Sequence, residues 1–281
     1  MDVVTPEKII DGLSRVGLSH QRIVVHSSLR SFGRVERGAE TVISALQSVC
    51  PTVLMPGFQC VANVLPPPAQ RPEQNGCDYA VHFDLSQPPE PFDVEKFPIH
   101  PRMGRISHVF ARSAGVLRSE HPWHSWLVWG KDAEDYARDH PWESANRPLE
   151  WLAAAGGWVL LLGVTLSSCT AIHLAEERAG RRPFIRWALD RQGQLRVVRV
   201  CGCAKGFDQL FPYCQTLLRE TWIGSSRVLA APLSSLIECL TPVIREHSAI
   251  TRCSDSCLRC RDAALGGPIE NRQSSGMEKQ L

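Results

Sequence analysis

The sequence predicts an α/β fold: a single domain of three layers, in which a central mixed, largely parallel β-sheet carries helices on both faces. Three observations lead to this prediction. A strand, a loop, a helix and a second strand follow one another over residues 22–58, and such units build sheets flanked by helices. A wholly apolar run at residues 158–164 is typical of a strand buried on both faces. The chain has 281 residues, 43% of them hydrophobic, which suffices for a full core.

The first 58 residues alternate between helical and strand patterns. Apolar residues recur at helical spacing in the opening segment, which a glycine at position 17 brings to an end. The predicted elements are, in order, a helix over 6–18, a strand over 22–28, a polar turn over 27–38, a helix over 39–49 and a strand over 52–58. Because α/β sheets bind ligands at the carboxyl ends of their strands, the turn after the first strand is a candidate binding loop.

A proline-rich segment interrupts this pattern at residues 59–101. Proline fixes φ and lacks an amide hydrogen, so the segment is neither a helix nor a central strand. Loops of this length inside a compact domain are usually functional. We therefore predict a substrate-facing insertion.

The remainder of the chain returns to regular patterns and ends in a polar tail. Strands are predicted over 124–130, 158–164 and 195–203, and helices over 102–115, 131–140, 148–157, 167–180, 207–222 and 233–248. The predicted organisation is a domain over 1–250, a cysteine-rich segment over 251–265 and a disordered tail over 266–281.

Charge and cysteine usage restrict the partners and the compartment. Lysine plus arginine number 31 and aspartate plus glutamate 29, a net charge of +2, so nothing favours a nucleic-acid partner. No run reaches the roughly 18 apolar residues that span a membrane, and the first residues do not resemble a secretion signal. The 11 cysteines are odd in number, which favours reduced thiols over a disulfide framework. We expect a cytoplasmic protein without a membrane partner.

Residues 167–180 place polar side chains on a helix that otherwise looks buried. Serines at its start and a glycine at its end would cap it, and in that frame Thr170, His173 and Glu176 share one face. The segment resembles the zinc helix H-x-x-E-H, but Glu177 stands at the second histidine position, so this helix offers two metal ligands at most. From these residues alone, a metal helix, a core histidine with exposed glutamates and a catalytic face all remain open.

Several segments together resemble the aminoglycoside 3-N-acetyltransferase family, which is unrelated to the GNAT superfamily. The resemblance spans about residues 7–230 and rests on "VVHSSLRSFGRV", "GAETVISAL", "HPRMGRISHVFARSAGVLRSEHPWHS", "DHPWESANRPLEWLAAAGGWVLLLGV" and "TAIHLAEERAG", in the same order. It implies that the domain over 1–250 moves an acetyl group from acetyl-CoA to an amine. The typical acceptor is an amino group on the deoxystreptamine ring of an aminoglycoside, which connects the activity with antibiotic resistance.

The resemblance also implies catalytic roles. His140 looks like the general base, Glu176 like the carboxylate that orients and charges that imidazole, and Thr170 like an oxyanion-binding hydroxyl. The chemistry agrees, because an ammonium must lose a proton before it attacks a thioester, and histidine titrates near neutral pH. In this interpretation His173 is mostly structural. His124 is a rival base, with a structural role in the wall of the acetyl-CoA site as its alternative.

The turn after the first strand resembles the CoA-binding loop of the family. Its hydroxyl and amide donors suit a phosphate, and its arginine can offset phosphate charge. The residues assigned to CoA binding are Ser27, Ser28, Leu29, Arg30, Ser31, Phe32 and Gly33, with Arg102, Met103, Gly104 and Ser119 along the rest of the CoA arm. By composition alone, this turn is equally typical of a plain helix-entry loop.

The acceptor pocket departs from the family pattern. Arg147 stands where relatives have serine, and it would suit an anionic group on a non-aminoglycoside amine. The acidic candidates for holding a polycationic acceptor are Asp78, Asp84, Asp93 and Glu95, which alternatively belong to an ordinary solvated loop. We expect a small-molecule amine acceptor, with an aminoglycoside first, and we consider a homodimer.

A cluster of cysteines follows the last predicted helix. Cys253, Cys257 and Cys260 are spaced C-x3-C-x2-C, and Cys201 or Cys203 could complete a tetrahedral zinc site. Free thiols near the chain end are the alternative. The family resemblance implies catalysis without a metal. A module that binds CoA or zinc without turnover is the third functional hypothesis.

Overall fold

The computed structural model describes residues 3–59, 64–81 and 88–269. The strands in these ranges are β1 (Arg22–Ser27), β2 (Thr52–Pro56), β3 (Leu117–Arg118), β4 (Trp126–Gly130), β5 (Trp158–Leu162), β6 (Phe184–Leu189), β7 (Leu195–Val200), β8 (Arg219–Ile223) and β9 (Ser226–Pro232). The helices are α1 (Pro6–Arg15), α2 (Ala39–Val49), α3 (Gly104–Phe110), α4 (Ala133–Arg138), α5 (Arg147–Ala154), α6 (Ile172–Arg178), α7 (Phe211–Cys214), α8 (Leu233–Glu246) and α9 (Leu258–Ala264). Among the described helices, none is both long and apolar enough to cross a lipid bilayer.

Seven strands form the central sheet in the order β3-β4-β2-β1-β5-β9-β8. β1 pairs in parallel with β2 on one side and with β5 on the other. The outer pairings, β2 with β4, β3 with β4, β5 with β9 and β8 with β9, are antiparallel. The predicted α/β fold with a mixed sheet is confirmed, and its parallel strands are the central three. Because β1, β2 and β5 run the same way, the loops that follow them meet at one edge of the sheet.

Alternate residues of the central strands pack on opposite faces of the sheet. In β1, Ile23 and Val25 pack with α1, α2 and α3, whereas Val24 packs with α5, α6 and α8. All five side chains of β5 are buried, as predicted for a strand covered on both faces. Each fully buried valine or leucine contributes about 1.5–3 kcal/mol of transfer free energy. The two apolar layers therefore account for the helices on both faces.

A separate hairpin, β6 with β7, stands beside the sheet and carries a small core of its own. Ala263 of α9 packs against this core. The predicted disordered tail begins too early, because Arg182 donates to the carbonyls of Gly267 and Pro268 at 3.2 and 2.7 Å. Residues 270–281 lie outside the described residues.

Most predicted elements are confirmed, but three helices are wrong in extent, one of which, α6, belongs to the site described below. The helix predicted over 102–115 contracts to α3, preceded by a single 3-10 turn at Pro101–Met103. Within the helix predicted over 207–222, only a 3-10 turn and α7 are helical, and the chain then enters β8. The partner of β8 is β9. This pairing overrides the helical spacing, because strand stability depends on cross-strand neighbours.

Candidate active site

The turn after β1 folds across the carboxyl edge of the sheet. The Ser28 amide donates to the Leu162 carbonyl at 2.9 Å. The Ser31 hydroxyl donates to the Ser28 carbonyl at 2.7 Å and lies 2.8 Å from the Ser226 hydroxyl. Gly163 has φ +64°, and a Cβ at this position would lie 1.8 Å from Ser31 Oγ. Glycine is therefore required at position 163 for the turn to close on the end of β5.

Two neighbouring cavities open at this edge. The larger, of about 570 Å³, is lined by Ser31 and Trp222 among others. The smaller, of about 170 Å³, is lined by Ser27 and Thr170. Val164 lines both, so the two cavities form adjoining parts of one cleft.

The structure brings part of the predicted CoA-binding set to the smaller cavity. Ser27, Arg102 and Met103 line it. Gly104 has φ +80°, and a Cβ there would lie 4.0 Å from the Ser27 carbonyl oxygen. The Phe32 side chain, in contrast, is 1% exposed and packs in the core, so any contact of this residue with CoA would come from its backbone.

The rest of the predicted loop is a short 3-10 helix, Leu29–Phe32, with Ser28 before it and Gly33 after it. Gly33 has φ +77°, a conformation that favours glycine. Arg30 is exposed to solvent beside this turn. Of this turn and the end of β1, Ser31 lines the larger cavity and Ser27 lines the smaller one.

Helix α6 carries a buried pair of an imidazole and a carboxylate. His173 and Glu176 are 5% and 6% exposed, and His173 Nδ1 donates to Glu176 Oε2 at 2.6 Å. The other carboxylate oxygen, Oε1, accepts from the Thr251 hydroxyl at 3.1 Å and from the Arg181 guanidinium. With the ring proton on Nδ1, the lone pair of the His173 imidazole lies on Nε2.

The pKa of Glu176 is lowered although its side chain is buried. Burial by itself would raise this pKa because it penalises the charged form, but the hydrogen bond from His173 and the charges of His173 and Arg181 outweigh it. The carboxylate stays ionised and fixes the proton of His173 on Nδ1. Glu176 is thus arranged to stabilise an imidazolium at His173.

His140 is held by other groups, and its predicted pairing with Glu176 is wrong. The Trp126 amide donates to Ser119 Oγ at 2.8 Å, so the Ser119 hydroxyl donates in turn to His140 Nδ1, also at 2.8 Å. His140 Nε2 then carries the proton and donates to the Ala145 carbonyl at 3.3 Å. Burial lowers the pKa of His140 to about 4. The imidazole is therefore neutral, with both nitrogens engaged.

Ser119 was predicted to contact CoA, and the structure places it elsewhere. The residue is fully buried, and its hydroxyl serves His140 and the Trp126 amide. It positions the His140 ring instead of lining the cleft.

Further buried histidines surround His140. His121 stacks on His140 with ring centroids 4.6 Å apart and on His124 with centroids 5.7 Å apart. Burial lowers the pKa of His124 and of His26 to about 3, so both are neutral. His26 lines the smaller cavity, and the sequence analysis did not single it out. A polar residue at the end of an apolar strand is the signal that could have identified it.

Thr170 lies before helix α6 instead of within it. The predicted helix began at residue 167 or 168, but residues Leu166–Ser168 form a 3-10 turn and α6 starts at Ile172. The predicted helical face shared by Thr170, His173 and Glu176 is therefore wrong. The Thr170 carbonyl accepts from the His173 amide at 3.0 Å, and its side chain lines the smaller cavity. Thr170 therefore lines the cleft and is hydrogen-bonded through its backbone to His173, three residues later.

Arg147 is neutralised by its neighbours. Its Nε lies 2.9 Å from Asp139 Oδ2 and its Nη1 lies 3.3 Å from Glu150 Oε2, with all three side chains partly exposed. This arrangement removes the basis for assigning Arg147 to an anionic acceptor.

The predicted acidic residues of the insertion serve local turns. Asp78 Oδ1 accepts from the Ala80 amide at 2.9 Å, and Asp93 Oδ1 accepts from the Glu95 amide at 3.1 Å. Asp84 lies outside the described residues. These contacts do not bring the insertion carboxylates to His173.

Besides Glu176, the half-buried Glu177 lies near His173. Glu177 and His173 line the same small cavity, of about 20 Å³. Burial raises the pKa of Glu177, although the Asn146 amide donates to its Oε1 at 2.6 Å. The sequence analysis considered Glu177 only within a zinc motif. A second acidic group therefore stands beside the imidazole.

Comparison with known proteins identifies related chains. A family model described as aminoglycoside 3-N-acetyltransferase matches residues 24–245. The aminoglycoside N(3)-acetyltransferase III of Salmonella sp is 34% identical over 188 residues, which make up 65% of this chain and 63% of the relative. The chain thus spans less than two thirds of that relative's length.

Solved structures share the fold. A mutant of aminoglycoside acetyltransferase AAC(3)-IVa in complex with a gentamicin superposes with a TM-score of 0.75 at 22% identity, covering 95% of this chain and 98% of the other. The structure of AAC-IIIb binary with CoASH gives a TM-score of 0.69 at 24% identity, covering 88% and 98%.

Proposed function

The chain belongs to the aminoglycoside 3-N-acetyltransferase family, and on that premise we propose that it moves the acetyl group of acetyl-CoA to an amine of an aminoglycoside. The preferred position is the 3-amino group of the deoxystreptamine ring. The observation that carries this proposal is the buried His173–Glu176 pair, which follows the cavity-lining Thr170 along the chain. An alternative acceptor is a non-aminoglycoside amine, and a further alternative is a CoA-binding module without turnover.

The proposed reaction is a direct attack without an acyl-enzyme. His173 Nε2 takes a proton from the acceptor ammonium, and the resulting amine attacks the thioester carbonyl. Glu176 stabilises the imidazolium across the 2.6 Å hydrogen bond. The Thr170 hydroxyl donates to the tetrahedral oxyanion, which collapses to the acetamide as the thiolate leaves. The first proton passes from His173 to solvent, so that His173 can take the second proton from the nitrogen of the tetrahedral intermediate and return it to the departing CoA thiolate. The products are the acetamide, the free CoA thiol and one proton released to solvent.

We assign the general base to His173 and give His140 a supporting role. A general base needs a lone pair that reaches the substrate, and both nitrogens of His140 are hydrogen-bonded inside the protein. Its pKa of about 4 also makes it a weak base. His124 has a pKa lowered to about 3 and is a weaker candidate for the same reason.

We assign acetyl-CoA to the two-part cleft. The larger cavity has the size and apolar character for the pantetheine and adenine groups, and the smaller one leads to Thr170. Ser27, Ser31 and Arg102 border the cleft and supply hydrogen-bond donors for phosphate. The structure of AAC-IIIb with CoASH supports this assignment of the cofactor.

The acceptor is proposed from the relatives and from one local feature. The Salmonella relative is named for aminoglycosides, and the AAC(3)-IVa structure contains a gentamicin. Glu177, beside His173, offers a carboxylate to a polycationic acceptor. We assign the enzyme to the cytoplasm, where thiols stay reduced. A homodimer remains part of the proposal.

The test is acetylation measured by mass spectrometry of the acceptor, with acetyl-CoA and a panel of aminoglycosides and simple amines. We expect acetylation of gentamicin-type compounds and none of simple amines. His173→Ala should abolish the reaction, whereas His140→Ala should retain part of it in folded protein. Turnover of simple amines alone would favour the second acceptor class, and no turnover with any amine would refute the proposal.

A further inference from the structure

Four cysteines outside the proposed active site converge at one point. Cys203 follows β7. Cys253 and Cys257 lie between α8 and α9, and Cys260 lies within α9. Their sulfur atoms all lie within 4.8 Å of one another. These four residues are called the cysteine cluster below. Cys201, the other candidate from the sequence, donates to Asn146 Oδ1 instead.

The sulfur spacing in the cysteine cluster fits a tetrahedral metal. The Sγ atoms of Cys253 and Cys260 are 3.5 Å apart, and those of Cys203 and Cys253 are 3.8 Å apart. Tetrahedral coordination with bonds of about 2.3 Å places sulfur atoms about 3.8 Å apart, whereas a disulfide bond measures about 2.0 Å. Four thiolates without an oxygen ligand favour zinc over magnesium or calcium.

Backbone amides support thiolates at this point. The amide of Lys205 lies near the Cys203 thiol, and that of Cys260 lies near the Cys257 thiol. The Cys253 amide donates to Cys260 Sγ at 3.5 Å. Such donors outside the metal shell orient the ligands and offset their charge.

The cysteine cluster also closes a long loop next to Glu176. Cys203 and Cys253 lie 50 positions apart in the chain, and Thr251, two residues before Cys253, donates to Glu176 Oε1. At Gly206, a Cβ would lie 2.2 Å from the Thr251 carbonyl, so the two segments touch. A metal that cross-links them would hold Thr251 in place, because joining distant segments restricts the chain most.

We propose that the cysteine cluster binds one zinc ion as a structural site, and that the bound zinc holds Thr251 against Glu176. Binding converts four thiols to thiolates and releases their protons, so affinity rises with pH. The site contributes folding free energy and takes no part in acetyl transfer. Zinc binding is independent of the proposed function, and only the consequence for Glu176 rests on it.

The first test is the metal content of protein purified without a metal-affinity step, measured by mass spectrometry. We expect one zinc per chain in the wild type and loss of zinc in Cys203→Ser and Cys257→Ser. Cys239→Ser is the matched control, because Cys239 lies on α8 outside the cluster and its thiol donates to the Tyr213 carbonyl. Equal zinc in all four proteins, or iron in place of zinc, would overturn the assignment.

A second measurement applies if the serine variants do not fold. Titration of the wild-type thiols with a mercurial reagent should release zinc, and cobalt-substituted protein should give the absorption of a tetrahedral thiolate complex. Metal-free wild-type protein with four titratable or disulfide-bonded cysteines at these positions would refute the site.

The link to Glu176 is tested by hydrogen exchange, which does not depend on turnover. Loss of zinc in Cys257→Ser should speed amide exchange in the peptides that contain Thr251 and α6, and Cys239→Ser should leave both unchanged. Faster exchange limited to α9 would retain the zinc site and reject its effect on Glu176. This readout separates failure of the inference from failure of the proposed acetyl transfer.

Discussion

Glu176→Gln is the sharpest single test of the proposed dyad. The substitution keeps the size of the side chain but removes its charge and turns one oxygen into an amino group. In the wild type, one carboxylate oxygen accepts from His173 and the other accepts from Arg181 and Thr251. In glutamine one of these oxygens becomes an NH₂ group, which is a hydrogen-bond donor. On that side it faces another donor, so the hydrogen bond of the wild type is lost.

The expected loss of activity follows from the role of the carboxylate. A carboxylate that holds the tautomer of a catalytic histidine and stabilises its imidazolium is worth about 10²- to 10⁴-fold in kcat, or about 3–5 kcal/mol. We expect a loss of that order in kcat/KM for Glu176→Gln. The variant should also be destabilised by about 2–3 kcal/mol, since breaking a buried ion pair is costly and glutamine keeps part of the hydrogen bonding.

The pH dependence of stability gives an independent check. The pKa of Glu176 is lowered in the folded protein, so its contribution to stability is present above the pKa of the unfolded chain. This contribution is lost as the pH falls through the lower, folded pKa. The difference in unfolding free energy between wild type and variant should therefore be largest at neutral pH and shrink in acid.

The assays are initial rates of acceptor acetylation and urea unfolding at several pH values. Glu150→Gln serves as the control, because Glu150 is a partly exposed glutamate that pairs with Arg147 on the surface. A Glu176→Gln enzyme with kcat/KM within about threefold of the wild type would contradict the dyad. A His140→Ala loss as large as that of His173→Ala would return the base to His140.

Three further predictions concern the cleft and its surroundings. Gly163→Ala should lower the free energy of unfolding in urea by about 2–4 kcal/mol, because the added Cβ would collide with Ser31 Oγ. Gly193→Ala is the control and should cost about 1 kcal/mol, because among the described residues no atom lies within 4 Å of its added Cβ. Trp222→Ala should raise KM for acetyl-CoA about tenfold, since Trp222 lines the larger cavity, and an unchanged KM would argue against CoA there. Arg147→Ala should change kcat/KM less than about twofold because two partly exposed carboxylates already hold its charge; a larger loss would assign it to the acceptor.

The central fold could be predicted because its signals are local. The apolar run of β5 and the alternation of β1, helix α2 and β2 follow from side-chain periodicity over a few residues. β8 and β9 were missed because the segment before them has helical spacing, and only pairing with a neighbouring strand decides its state. Sheet edges depend on partners that are distant in sequence.

The candidate site was predicted in part. Glu176, Thr170 and the loop after β1 were identified, and the spacing of three residues between His173 and Glu176 was already visible. The partner of Glu176 was misassigned, because the resemblance favoured a histidine 36 positions upstream over the one on the same helix. The structure resolves this through local geometry, since residues three apart on a helix lie on one face.

The order of residues along the chain was enough to predict the α/β fold, the family resemblance and the spacing of three of the cysteines. Three-dimensional packing was needed to establish that Cys203 and not Cys201 joins them, that Ser119 holds His140, and that Thr251 reaches Glu176. Periodicity and capping act within one element, so the chain order reveals them. These contacts join residues 21 to 75 positions apart and depend on how the layers pack. The sequence shows which residues are hydrophobic, but not which residues they pack against.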